Sequence, residues 1–112
     1  MIQIKRAYES ASSKDGRRIL VDRLWPRGVS KEKLQLYCWE KELAPSTALR
    51  KWFNHDPKKW AGFKRKYLAE LQKKQSRVKE LRAMGARQTV TLIYAAKDEE
   101  HNEAVLLAQL LN

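Results

Sequence analysis

The sequence predicts an α/β fold: one domain, residues 1–112, with a small, mostly parallel sheet flanked by helices, one of them long and basic. Three observations carry this expectation. Short apolar, strand-like segments alternate with segments of helical periodicity, the order expected of strands joined by helical crossovers. Arg18 to Trp25 carries apolar side chains on both faces, as in a strand covered from two sides. The length of 112 residues, 43% of them hydrophobic, suits a single core that needs no disulfide support.

Along the chain, Ile2 and Ile4 alternate with polar residues and begin a half-buried strand that extends toward Tyr8. Ser10 to Arg17 forms a loop around the turn pair Asp15-Gly16. The second strand, Arg18 to Trp25, ends at Pro26, which has no N–H to donate, and Gly28. Ser30 is the expected cap of a short helix, with Val29 and Leu34 at hydrophobic-staple spacing. Residues 35–43 fit either a short strand or an irregular segment. Pro45-Ser46 opens another helix, capped by Ser46 and apolar at Leu49, Trp52 and Phe53.

Asp56-Pro57 is a strong helix start, with Asp at the cap and Pro in the first turn. Trp60, Phe63, Tyr67, Leu71, Val78 and Leu81 then recur on one face. They predict a helix running to Met84 and stopped at Gly85, about 27 residues or ~40 Å long, with a break expected at Lys73 to Ser76. Gln88 to Ala96, rich in β-branched and apolar residues, is the clearest strand. Asp98 is the expected cap of a last helix buried along Ala104, Val105, Ala108 and Leu111.

The formal charge is +11, from 24 Lys plus Arg against 13 Asp plus Glu. Residues 50–87 alone contribute +10, residues 1–49 contribute +4 and residues 88–112 contribute −3. A basic stretch of this kind attracts phosphate backbones or forms the solvated face of a helix. Trp60, Phe63 and Tyr67 share a core-spaced face, which favours the helix surface over a base-stacking platform. The basic residues around them, Lys58, Lys59, Lys64, Arg65, Lys66, Lys73, Lys74 and Arg77, are left on the outer faces.

Several function classes are disfavoured. There is no P-loop, nucleophile elbow, His-Glu-x-x-His helix or Gly-x-Gly-x-x-Gly. The one cysteine, Cys38, excludes a multi-cysteine metal site and fits a reducing compartment. Set between Tyr37 and Trp39, it reads as buried and inert rather than as a nucleophile. No apolar run reaches the ~18 residues of a membrane span, and the first residues lack the apolar core of a secretory signal. The expectation is a cytoplasmic protein with no metal and no membrane partner; no cofactor or oligomeric state is specified.

What remains is positional, because ligands of open parallel sheets sit beyond the carboxyl ends of the strands. Asp22, Arg23, Trp25 and Arg27 follow one strand; Lys97, Asp98, His101 and Asn102 follow another. Asp22 beside two arginines suits a general base or metal carboxylate flanked by anion-binding forks, or equally a set of structural pairs pointing to opposite faces. His101 suits acid–base work or a core-edge imidazole bonded to Asp98 or a strand-end carbonyl. His55 reads as a helix-start residue.

Four strings carry a resemblance. They are Leu20-Val21-Asp22-Arg23-Leu24-Trp25-Pro26-Arg27-Gly28, Trp39-Glu40-Lys41-Glu42-Leu43-Ala44-Pro45-Ser46 with Leu49-Arg50, Tyr67-Leu68-Ala69-Glu70-Leu71, and Thr91-Leu92-Ile93-Tyr94-Ala95-Ala96-Lys97 with His101-Asn102 and Ala104. Over nearly its whole length the chain resembles the YeaO-like family of small bacterial proteins, part of a larger domain of unknown function. The resemblance implies a small α/β domain with no activity to carry over, and recurring polar positions at Asp22, Arg23, Arg27, Lys41, Ser46, Arg50, Lys97 and Asn102. Two departures stand out: Tyr37-Cys38 where the family often has an acid before the tryptophan, and Glu103 where it commonly has His or Asn.

The expected function is binding of an anionic, phosphate-bearing group, a nucleotide or a nucleic-acid end, in a pocket built from Arg23, Arg27, Arg50 and Lys97. Trp25, Lys41, Ser46 and Asn102 complete the candidate ligand set. Two alternatives stand beside it. One is a hydrolase or transferase using Asp22 or His101 as acid and base; the other is a nonspecific nucleic-acid-binding module acting through the basic 50–87 surface.

Overall fold

Four short strands build the sheet of the computed structural model, which describes all residues from 1 to 112. They are β1 (Ile2–Arg6), β2 (Arg17–Leu20), β3 (Cys38–Trp39) and β4 (Val90–Tyr94), in the order β1-β4-β2-β3, with every pairing parallel. The helices are α1 (Lys31–Leu34), α2 (Thr47–Phe53), α3 (Trp60–Gln72), α4 (Gln75–Arg87) and α5 (Glu103–Leu111). Single 3-10 turns lie at Ser13–Asp15, Lys41–Leu43 and Pro57–Lys59. No helix is long and apolar enough to cross a membrane.

The α/β class follows from how β4 is buried. All five of its residues are buried, since it has a strand on each side and cover on both faces. Val90, Leu92 and Tyr94 face the larger core with Ile19, Val21 and the apolar sides of α2 to α5. Ile93 turns the other way and joins Ala7, Leu20, Val29 and Leu34 in a smaller cluster beneath α1. This period of two is the pleat expressed as packing.

Short-range chemistry sets most element boundaries. Ser30 Oγ accepts the Lys33 N–H, Ser46 Oγ the Leu49 N–H, and Asp56 Oδ1 the Lys58 N–H, so each cap closes the first turn behind it. Val29 and Leu34 meet in the small cluster, as staple spacing requires. Residues 35–43 resolve into the two-residue edge strand β3 and a 3-10 turn.

Three expectations are corrected, and the expected helix break is found. The second strand stops at Leu20 rather than Trp25: one more backbone bond follows, from the Val21 N–H to the Ile93 carbonyl, and then the Asp22 side chain takes the place of the next rung. The long helix is two helices, α3 and α4, separated at Lys73-Lys74, where the predicted break falls. Gly85 does not stop α4, which continues to Arg87; it is buried against β1, where a Cβ would run into Ile2 Cδ1. The cap of α5 is Asn102, whose Oδ1 accepts the Val105 N–H, while Asp98 closes the preceding turn by accepting the Glu100 and His101 N–H groups. Consequently α5 buries Ala104, Leu106, Leu107 and Leu111, with Val105 and Ala108 only half-buried.

Polar residues pin the other half of the sheet's thinner face. Asp15 is buried and accepts from Arg18 Nη1 at 2.6 Å and from Lys5 Nζ at 3.1 Å. Burial opposes its ionisation, but the Ser12 backbone N–H and the two cations outweigh that and lower its pKa below the usual 3.8. Thr91 Oγ1 donates to the Asp15 carbonyl at 2.6 Å, tying the turn to β4. Gly16 follows with φ of 60°, and the adjacent Thr89 carbonyl leaves no room for a Cβ. Replacing Asp15 with Ala strands the Arg18 guanidinium in the interior, and chemical denaturation should show a loss of about 3–5 kcal/mol. A loss no larger than that of an exposed substitution such as Glu99→Ala would contradict the role assigned to this pair.

Candidate functional site

The carboxyl ends of β2 and β4 open into a cleft of about 560 Å³. The last regular rung between them is Val21 N–H to the Ile93 carbonyl at 3.0 Å. One step further the Asp22 side chain takes over: its Oδ2 accepts the Ala95 N–H at 2.9 Å. From there β2 leads into the Arg23 to Arg27 loop and β4 into Ala96 to His101, and both segments line the cleft.

The loop wall is held by its own donors. Arg23 Nε donates to the Pro45 carbonyl at 3.1 Å and Nη2 to the Ala44 carbonyl at 3.3 Å, fastening the approach to α2 against the cleft. Trp25 Nε1 donates to the Val29 carbonyl at 2.7 Å, and its ring meets the edge of Trp39 with centroids 5.5 Å apart. Phe53 and Phe63 stack at 4.3 Å and supply the apolar wall opposite. Behind them Tyr67 is fully buried, its hydroxyl donating to the Leu43 carbonyl at 2.6 Å. Burial, reinforced by the Glu103, Glu70 and Asp22 carboxyls, keeps that phenol neutral.

The second wall begins at Ala95. His101 Nδ1 lies 2.9 Å from Asp98 Oδ2, and the imidazole edge meets Trp60 at 5.2 Å. The Glu100 backbone N–H is the largest influence on Asp98; with the His101 contacts it outweighs partial burial and lowers the carboxyl's pKa. Asn102 is buried, with Nδ2 on the Asp98 carbonyl and Oδ1 capping α5, so both ends of its amide are engaged by backbone.

Of the candidate residues, the structure gathers Asp22, Arg23, Trp25, Arg27, Arg50, Lys97, His101 and Asn102 around this one cleft. Arg27, Arg50 and Lys97 are exposed, and none of the ion pairs in the fold involves them. Lys41 and Ser46 lie elsewhere. Lys41 Nζ sits 4.0 Å over the Trp39 ring. Ser46 caps α2 and donates its hydroxyl to Glu70 Oε2 at 2.6 Å, a bond that joins α2 to α3. Cys38 is also outside the cleft; burial and then Glu40 push its thiol pKa up, which favours the protonated, unreactive form. No group of three or more His, Cys, Asp or Glu side chains is placed to hold a metal ion.

Sequence reasoning missed two residues. His55, read as a helix-start residue, sits at the cleft rim with φ of 54°. Glu103, read only as a departure from a family pattern, is the first residue of α5 and lines the cleft beside Asp22. Burial is the main cause, and the Asp22 carboxyl the next, of a Glu103 pKa raised well above the usual 4.5. Two carboxyls sharing one site hold a proton between them more readily than two charges. Glu103 Oε1 is buried and has no hydrogen-bond partner. The available signal was only that an acid opens a helix just beyond a strand end, which also describes a routine dipole partner.

The raised Glu103 pKa has a stability consequence of definite sign. The folded state holds this proton more tightly than the unfolded chain, so stability is full below 4.5 and declines as pH rises toward the folded value. Urea unfolding from about pH 4 to pH 8 should show that decline in the wild type and a flatter profile in Glu103→Gln. Parallel profiles for the two proteins would contradict the assignment.

Comparison with known proteins agrees with the resemblance. Residues 1–112 match the family model DUF488-N3i, described as the inactive DUF488-N3 subclade. The chain is 47% identical over 110 residues to the uncharacterised protein YeaO of Escherichia coli K12, a match covering 98% of this chain and 96% of that one. It is 38% identical over 111 residues to an uncharacterised protein of Mycobacterium tuberculosis H37Rv and to one of Mycobacterium bovis, covering 99% of this chain and 93% of each. No solved structure matches. With the whole chain matched and nearly half of its residues shared with YeaO, the protein belongs to the YeaO-like DUF488-N3i family.

Proposed function

We propose that the protein binds a phosphate-bearing ligand in the cleft at the strand ends and does so without turning it over. The observation that carries this reading is the convergence of Arg27, Arg50 and Lys97, three exposed cations brought to one recess from three separate segments. The ion pairs of the fold use other cations, Lys5 and Arg18 with Asp15, Lys74 with Glu42, and Arg77 with Glu40 and Glu80. Arg23 adds a guanidinium whose contacts are carbonyls, which leave its charge unneutralised and some of its five N–H donors free. Guanidinium forks and an ammonium are the groups that suit phosphate oxygens.

Binding is favoured over catalysis on two grounds. Asp22 is committed to the Ala95 N–H and His101 Nδ1 to Asp98, so both candidate acid–base groups are tied into the wall. The matching family is itself described as inactive. The basic outer face of α3 is a weaker candidate for the site, because Phe63 and Tyr67 are buried and the exposed Trp52 ring is covered by the Lys59 and Lys66 ammonium groups.

Titration calorimetry with inorganic pyrophosphate at low salt tests this. Arg50→Ala and Lys97→Ala should each weaken binding about tenfold or more, the loss expected of one charge-assisted contact. Lys58→Ala and Lys64→Ala should change it less than about twofold. Equal losses from the two pairs, or no binding by the wild type, would overturn the reading.

A further inference from the structure

Past the last backbone rungs of β4, side chains from both neighbouring strands take over its polar groups. On the β2 side, Asp22 Oδ2 accepts the Ala95 N–H at 2.9 Å. On the β1 side, the ladder ends with the Ala7 N–H on the Tyr94 carbonyl at 2.7 Å. Arg6 then continues it: Nη2 donates to the Ala95 carbonyl at 3.2 Å and Nε to the Ala96 carbonyl at 2.9 Å. A guanidinium suits this place, because its donors form a rigid fork that holds two successive carbonyls in one orientation. The residue that follows Ala96 is Lys97, one of the three exposed cations of the cleft.

Two residues beyond Arg6, Tyr8 reaches the opposite wall. Its hydroxyl donates to the Arg27 carbonyl at 3.1 Å, and that carbonyl accepts from no other group. The Arg6 guanidinium lies over the Tyr8 ring, 5.1 Å from its centroid. The turn that carries both side chains is closed on itself, with the Glu9 N–H on the Arg6 carbonyl at 3.1 Å and the Arg6 N–H on Glu9 Oε2 at 2.9 Å. Arg6 and Tyr8 thus touch each other and hold the backbone at Ala96 and at Arg27, yet neither lines the cleft. Tyr8 is exposed and belongs to neither hydrophobic cluster, so packing of the core does not account for it.

Resting on the anion reading above, we infer that Arg6 and Tyr8 are positioning residues of the anion site. They tie the backbone that carries Arg27 to the backbone that leads into Lys97, and so fix the spacing of two cations without touching the ligand. Groups held in place before a ligand arrives bind it more tightly, since less ordering is left to do on binding.

Titration calorimetry with pyrophosphate at low salt tests this through Tyr8→Phe, which removes one exposed hydroxyl and no charge. Binding should weaken about threefold, the effect of one neutral hydrogen bond. Arg6→Lys keeps the charge, loses the fork, and should weaken binding about fivefold. A second arginine–tyrosine pair serves as control: Arg17 Nη1 donates to the Tyr37 hydroxyl at 3.0 Å, with the guanidinium 4.3 Å from the ring centroid, at the start of β2 and away from the cleft. Tyr37→Phe should leave binding within about 1.5-fold of wild type. In an Arg27→Ala background Tyr8→Phe should also cost less than about 1.5-fold, because the cation it positions is gone. That coupling separates positioning from a general loosening of the fold, which would weaken both backgrounds alike. Wild-type binding by Tyr8→Phe, an equal loss from Tyr37→Phe, or an equal loss in the two backgrounds would overturn the positioning role and leave the anion site standing. Failure of the wild type to bind pyrophosphate would overturn both.

Discussion

The hydrogen bond from the Ala95 N–H to the Asp22 carboxylate organises the functional end of this fold. Two parallel central strands must separate somewhere, and their backbone groups need partners when they do. Here a side chain supplies the next bond after Val21–Ile93, so the ladder ends at a defined residue with no unpaired amide at Ala95. The Trp39 indole donates to the Asp22 carbonyl at 2.7 Å and fixes the same residue from the sheet's far edge. Everything lining the cleft is placed relative to that point, with the Arg23 to Arg27 loop on one side and the Asp98 turn and start of α5 on the other.

Most local chemistry in the sequence was legible, the cap of α5 excepted, where Asp98 and Asn102 four residues apart both suit a cap, and long-range chemistry was not. The caps at Ser30, Ser46 and Asp56 act within three residues, so their spacing alone identifies them. Strand β4 was evident because a strand buried on both faces must be apolar throughout. The end of β2 was not evident, since the apolar residues Leu24 and Trp25 continue the pattern while the backbone has already left the sheet. Gly85 misled for a related reason: a helix stop and a close approach to β1 both ask for glycine, and only the packed structure distinguishes them.

The site divides the same way. Strand-end reasoning gathered Asp22, Arg23, Trp25, Arg27, Lys97, His101 and Asn102, since the topology of a parallel sheet says where its loops converge. Arg50 joined them through the family resemblance, as did Lys41 and Ser46, which the structure places elsewhere. A recurring polar residue serves packing as readily as binding; Ser46, which joins α2 to α3 through Glu70, is the example. Glu103 escaped notice because its unusual proton affinity depends on Asp22, a residue far away in sequence. The charge follows a similar course. The segment that carries +10 is mostly the outer surface of α2 to α4, and the cations proposed to bind phosphate are a minor part of it.

That division between the bulk of the charge and the strand-end cleft is the central claim, and backbone amide shifts tested against a nucleotide address it directly. In a nitrogen–proton correlation spectrum titrated with adenosine 5′-monophosphate, the account predicts the largest shifts at Arg23 to Arg27 and Ala95 to Glu103, with Lys58 to Lys66 nearly still. Shifts concentrated on Lys58 to Lys66, with the strand-end loops unmoved, would contradict it.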